Sequence, residues 1–154
     1  MPQNPPRLPN GRASAARIEA FVSGALDGLL EEPLGVALVI GAGEERDLYV
    51  QVALGIPDRP EDAPTGAQVE VCGPADWPEG FVLPEAGVEA LVNVGFVIAT
   101  PPDYPNWARR IEPFDRGQVA SLLVLGLLAL GHGAELLRSE LITRDDKYEA
   151  SGGR

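Results

Sequence analysis

The chain holds one cysteine (Cys72), one histidine (His132), one methionine and a single lysine (Lys147). A lone cysteine excludes an internal disulfide and agrees with a reducing compartment. With one histidine and one cysteine, a metal site would have to be built from carboxylates. Asp58, Glu61 and Asp62, and the Asp145-Asp146 pair, lack the alternating oxygen ligands of a calcium loop and read as solvated loop charges. The nucleophile and base that catalysis needs are equally scarce. His132 lies in an apolar stretch between two glycines and reads as a structural or interface residue, and Cys72 as a small buried hydrophobe. There is no Gly-x-Ser-x-Gly elbow and no phosphate-loop lysine motif. Gly41-Ala42-Gly43 follows a strand, but Arg46 stands at the third glycine position and a strand follows, which rules out a dinucleotide fingerprint. The expectation is a protein that is not an enzyme and uses no cofactor.

Basic residues are few. Twelve Lys and Arg stand against 23 Asp and Glu, a net charge of −11 at pH 7. That field repels phosphate backbones and anionic lipid surfaces, and Arg109-Arg110 is the only adjacent basic pair. Long apolar runs are missing too. The longest, Val119 to Gly131, falls short of the roughly 20 residues that a membrane span requires. The N-terminal residues carry prolines rather than an apolar signal core, so the expected location is the cytoplasm.

What the chain does have is turn formers, 18 Gly and 15 Pro among 154 residues. They divide it into a flexible Pro-rich leader (1–13), one α/β domain of the α+β kind (14–138) and a polar C-terminal tail (139–154). A first helix is predicted from Ser14, which can cap it, to Glu31, with Ile18, Val22, Leu26 and Leu29 on one apolar stripe. Strands follow: Val36–Ile40 as a continuous apolar run, Leu48–Leu54 in strict alternation, and Gln68–Cys72. A second helix opens at Pro84, and Gly95 stands just past its end with Phe96 folding back on Leu91. Short strands are expected at Phe96–Ala99 and Trp107–Ile111. A last helix, capped by Asp115 with Gln118 at capping-box spacing, is apolar on every side. The order is thus α-β-β-β-α-β-β-α, a small, mostly antiparallel sheet packed against helices. An all-apolar helix needs cover on every side, and a second subunit resting on Leu123, Leu127 and Leu130 would supply it. Gly126, Gly131 and Gly133 within that stretch suggest close backbone approach.

From Val88 onward the chain reads VEALVNVGFVIATPPDYPNW. This is similar to the YbjN-like family, whose members resemble type III secretion chaperones and carry Leu-x-x-Leu-Gly-Trp, a proline, then Asn-Trp. Leu91, Gly95, Phe96, Pro101, Asn106 and Trp107 fill those places, with Phe96 for the family's Trp. Where the family often has a Glu-x-Ser-Asn-like segment, Glu70-Val71-Cys72-Gly73 keeps only the glutamate. The resemblance implies a chaperone-like fold and a homodimer that binds segments of other proteins without catalysis, as a chaperone-like or adaptor protein in stress response or regulation. Tyr49, Gln51 and Trp107 are the candidate contacts, on the less apolar strand face and in the Asn-Trp pair. The competing reading is a regulator of DNA metabolism, acting on DNA directly or through DNA-binding partners; net charge weighs against direct contact.

Overall fold

A computed structural model of the chain describes residues 11–32, 36–42, 48–59, 62–74, 77–78, 80–98, 106–132 and 137–143. In order along the chain these form α1 (Gly11–Leu30), β1 (Val36–Ala42), β2 (Tyr49–Leu54), β3 (Ala67–Val71), α2 (Glu85–Asn93), β4 (Val97–Ile98), β5 (Trp107–Ile111), α3 (Arg116–Ala129) and β6 (Leu137–Thr143). All the strand pairings are antiparallel, and the sheet order is β4-β5-β3-β2-β1-β6. The chain is therefore a mixed α+β protein.

Three boundaries differ from expectation. Helix α1 begins at Gly11, so Ser14 lies inside it rather than at its cap. The segment assigned to a polar tail is in part a strand: Leu137 to Thr143 pairs along the whole of β1, from Val36↔Thr143 to Ala42↔Leu137. Its composition, LRSELIT, hides this because an edge strand contributes only one fully covered apolar residue, Leu137, and exposes Arg138, Ser139 and Glu140. The domain thus spans at least residues 11–143. Finally, α3 stops at Ala129, and Gly131 and His132 follow its end rather than continuing it. Pro101, Gly133, residues 1–10 and residues 144–154 lie outside the described residues.

Register divides the sheet into two faces. Leu38 and Ile40 of β1, Val50, Val52 and Leu54 of β2, and Val69 and Val71 of β3 face the helices and are at most 3 % exposed. There they join Ile18, Val22, Leu26 and Leu29 of α1, Leu91 of α2 and the apolar residues of α3 in one core. Burying such a side chain fully contributes about 1.5–3 kcal/mol.

The cover that α3 needs comes from within one copy of the chain. The helix packs on β2 and β3 beneath it, with α1 and α2 on its flanks. Leu123 and Leu127 are 0 % exposed and Leu130 4 %. These three are core residues, which corrects their assignment to a dimer interface. Only a narrow strip meets water, with Ser121 exposed and Leu125 and Leu128 half-buried. Two close approaches make this possible. A Cβ on Gly126 would lie 2.8 Å from Val71 Cγ2 and 2.9 Å from Val50 Cγ1, while one on Gly87 of α2 would lie 3.1 Å from the Ala129 carbonyl.

Both α2 and α3 end in a Schellman motif. In α2 the Phe96 amide donates to Leu91 O and the Gly95 amide to Val92 O, with Gly95 at φ +97°. In α3 the His132 amide donates to Leu127 O and the Gly131 amide to Leu128 O, with Gly131 at φ +88°. Phe96, 3 % exposed, folds back into the core beside Leu91 as expected. Gly95→Ala should destabilise the protein by about 1–2 kcal/mol, because an L side chain resists this backbone conformation. Its Cβ would also stand 2.8 Å from Arg109 Nε. A urea unfolding midpoint checks the value.

Candidate functional site

The sheet face turned away from the helices carries the most ordered polar cluster among the described residues. Strand alternation puts Tyr49, Gln51 and Ala53 of β2 on this side, opposite Glu70 and Gln68 of β3, with Ala37, Val39 and Gly41 of β1 alongside. Glu70 is the hub. Gln51 Nε2 donates to Glu70 Oε1 at 2.9 Å, Asn106 Nδ2 to the same oxygen at 3.1 Å, and Gln68 Nε2 to Oε2 at 2.8 Å. Asn106 ties in two further groups. Its Nδ2 also donates to the Tyr49 hydroxyl at 3.3 Å, and its Oδ1 accepts the Gly73 amide at 2.8 Å. Gln51 and Asn106 are each 7 % exposed, and Glu70 and Tyr49 are half-buried. Buried polar groups keep fixed orientations only when their partners are in place. Here each amide holds the carboxylate, and the carboxylate aligns the amides.

The flanks of this face are wetter than its centre. Ala37 and Val39 are 1 % and 4 % exposed, whereas Arg110, Arg138, Glu140 and Val97 at the margins are exposed. The centre of the face is therefore already covered within the one chain, and solvent reaches it at Tyr49, Gln68 and Glu70 and along its charged margins.

Of the sequence-derived candidates, Tyr49 and Gln51 meet here, and the structure adds Asn106, Gln68 and Glu70 to them. Asn106 was expected to serve the family motif alone; its alignment with the strand faces depends on the β3–β5 pairing, which spans residues far apart in sequence. Glu70 was visible only as a motif remnant. Trp107 belongs elsewhere. It pairs with Val71, whose side chain touches the α3 side, so its ring packs against the core, away from Tyr49 and Gln51. Its indole Nε1 is buried with no hydrogen-bond partner. Leu91, Gly95 and Phe96 act in the α2 C-terminus described above.

The remaining chemical candidates have structural partners. Cys72 is fully buried; its Sγ accepts the Tyr49 amide at 3.3 Å and its carbonyl accepts Trp77 Nε1 at 3.0 Å. His132, 8 % exposed, donates from Nε2 to the Leu48 carbonyl at 2.9 Å, pinning the α3 exit to the start of β2. Burial pushes its pKa below the ordinary 6.5, against the smaller raising effect of that hydrogen bond. The folded state therefore binds its proton less readily than the unfolded state does. The His132 contribution to stability is whole above pH 6.5 and is lost as pH falls below that value. Thermal melts of the wild type and of His132→Gln should converge toward lower pH, the wild type losing more on acidification.

Arg109 and Arg110 point to opposite sides of β5. Arg109 Nε donates to the Val94 carbonyl at 3.0 Å, and Arg110 pairs with Glu112 at 3.4 Å. The one adjacent basic pair thus forms no joint positive patch. Among the described residues, no three His, Cys, Asp or Glu side chains are grouped to hold a metal, and no helix is long and apolar enough to cross a membrane. No family model, curated protein or solved structure matches the chain.

Proposed function

We propose that this protein is a non-catalytic, protein-binding adaptor or chaperone-like protein of the cytoplasm, active as a homodimer, and that the accessible part of the helix-free sheet face, at Tyr49, Gln68 and Glu70, receives the partner segment. The observation that carries this reading is the cluster of Tyr49, Gln51, Gln68 and Asn106 around Glu70. Peptide groups present one donor and one acceptor per residue, and side-chain amides match both. Amides already locked by Glu70 lose little conformational freedom on binding, which favours affinity. The resemblance to the YbjN-like family, carried by Leu91, Gly95, Phe96, Asn106 and Trp107, supports the same class of function.

A photo-crosslinking residue at Gln68 tests the face directly. It should capture a defined set of proteins in cells, and Gln51→Arg in the same background should lose them while the melting temperature stays within a few degrees of the parent. Equal capture by both proteins sinks the assignment of this face.

A further inference from the structure

Strand β6 is one of the two edges of the sheet among the described residues, β4 being the other, and its sequence is complementary to itself. We infer that the exposed edge of β6 is a homodimerisation surface, on which the second copy pairs antiparallel about a two-fold axis at Ser139.

The register follows from the side-chain faces. In an antiparallel pair about a two-fold, directly opposed residues lie on the same face and are equidistant from the axis. With the axis at Ser139, Arg138 opposes Glu140 of the second copy and Glu140 opposes its Arg138. On the other face, Leu137 opposes Leu141 and Leu141 opposes Leu137. From Leu137 to Leu141 each pair flanking the axis is then matched, charge to opposite charge and apolar to apolar, with Ser139 opposite itself. The neighbouring register, with the axis at Glu140, places two glutamates opposite each other and Leu141 opposite Ser139, which is unfavourable on both counts. Arg138, Ser139 and Glu140 are exposed, and Leu141 is 39 % exposed, a large apolar side chain at an open edge.

Helix α1 supplies the second observation. It packs over β1 and β6, while α3 lies over β2 and β3. The flank of α1 toward α3 is marked by Arg116, which bonds Ser23 Oγ at 3.0 Å and Asp27 Oδ1 at 2.9 Å. At about 100° per residue, Phe21 and Gly28 fall on the other flank, toward the β6 edge, while Gly24 points outward between the two flanks. A Cβ on Gly24 or Gly28 would meet nothing within 4 Å in a single copy. Joining the sheets through β6 brings the two α1 helices side by side over the seam, and Gly28 there lets the backbones approach.

This inference rests on the homodimer of the proposed function but not on its partner-binding face, so either can fail alone. Sedimentation of the full chain at tens of micromolar is the first measurement, and a dimer is expected. Arg138→Glu and Glu140→Arg each set like charges opposite in both symmetric pairs, and each should raise the dimer Kd at least about tenfold. Mixing the two variants in equal amounts restores both opposite-charge pairs between unlike copies, so a heterodimer near wild-type affinity should form. Pairing between charges of one strand within a single copy cannot produce that rescue. Gly28→Trp should keep the circular dichroism spectrum and weaken association. A wild type that stays monomeric, single variants with unchanged Kd, or a mixture without rescue would each overturn the β6 interface. Lost partner capture at Gln68 with an intact dimer would instead count against the sheet-face reading.

Discussion

Leu123→Asp should abolish cooperative folding rather than separate two folded subunits. Leu123 is 0 % exposed in the middle of α3, enclosed by the sheet, α1 and α2 of its own chain. Truncating a buried leucine alone costs about 2–5 kcal/mol. Placing a carboxyl group there without partners adds several kcal/mol more, whether it stays charged or takes up a proton. Domains of this kind are stable by only about 5–15 kcal/mol, so the sum consumes most or all of the margin. The expected result is a near-UV circular dichroism spectrum without fine structure and an expanded elution volume. A well-folded monomer would instead return Leu123 to a subunit interface. Leu127→Asp, at an equally enclosed site, should behave the same way.

Gly126→Leu has the second largest expected effect. Helix propensity taken alone favours replacement, since glycine inside a helix is roughly 0.5–1 kcal/mol less favourable than alanine. Space opposes it. The first added carbon would meet Val71 Cγ2 at 2.8 Å and Val50 Cγ1 at 2.9 Å, and both neighbours are β-branched side chains with little rotamer freedom. Overpacking of this kind costs about 1–3 kcal/mol. Gly126→Ala should therefore show a small net loss, and Gly126→Leu a loss above 3 kcal/mol as α3 is lifted off β2 and β3. Denaturant midpoints for the two variants check the order; a stabilised Gly126→Ala would mean that the helix-to-sheet distance relaxes freely.

Both predictions concern α3, whose start is written in the sequence and whose cover is not. Its start was legible in Asp115, whose carboxylate accepts the Gln118 amide at 3.0 Å. Its glycine at the sheet was legible as a close approach. What covers the helix is not legible there. An apolar circumference says that a helix is enclosed, but it says nothing about whether the enclosing surface belongs to the same chain. Two flanking helices and a sheet from one copy satisfy the pattern as fully as a second subunit would.

The polar face shows a related limit. Alternation in β2 placed Tyr49 and Gln51 together on one side, which is a property of any strand. That Asn106 and Glu70 join them depends on β5 pairing with β3 and β3 with β2. No local pattern encodes such pairings, because the contacts join segments separated by loops whose lengths do not fix a partner.

The sequence by itself determined the α+β class, the C-terminus of α2 at Gly95 and Phe96, the cap at Asp115 and the alternation of the inner strands. These depend on backbone sterics and on local periodicity, which act over a few residues. Only the tertiary structure decided that α3 is enclosed within one copy, that Trp107 faces the core, that Leu137–Thr143 is a strand and that five polar side chains converge on one sheet face. Each of those depends on which distant segments share the core, and that choice follows from the packing of the whole chain.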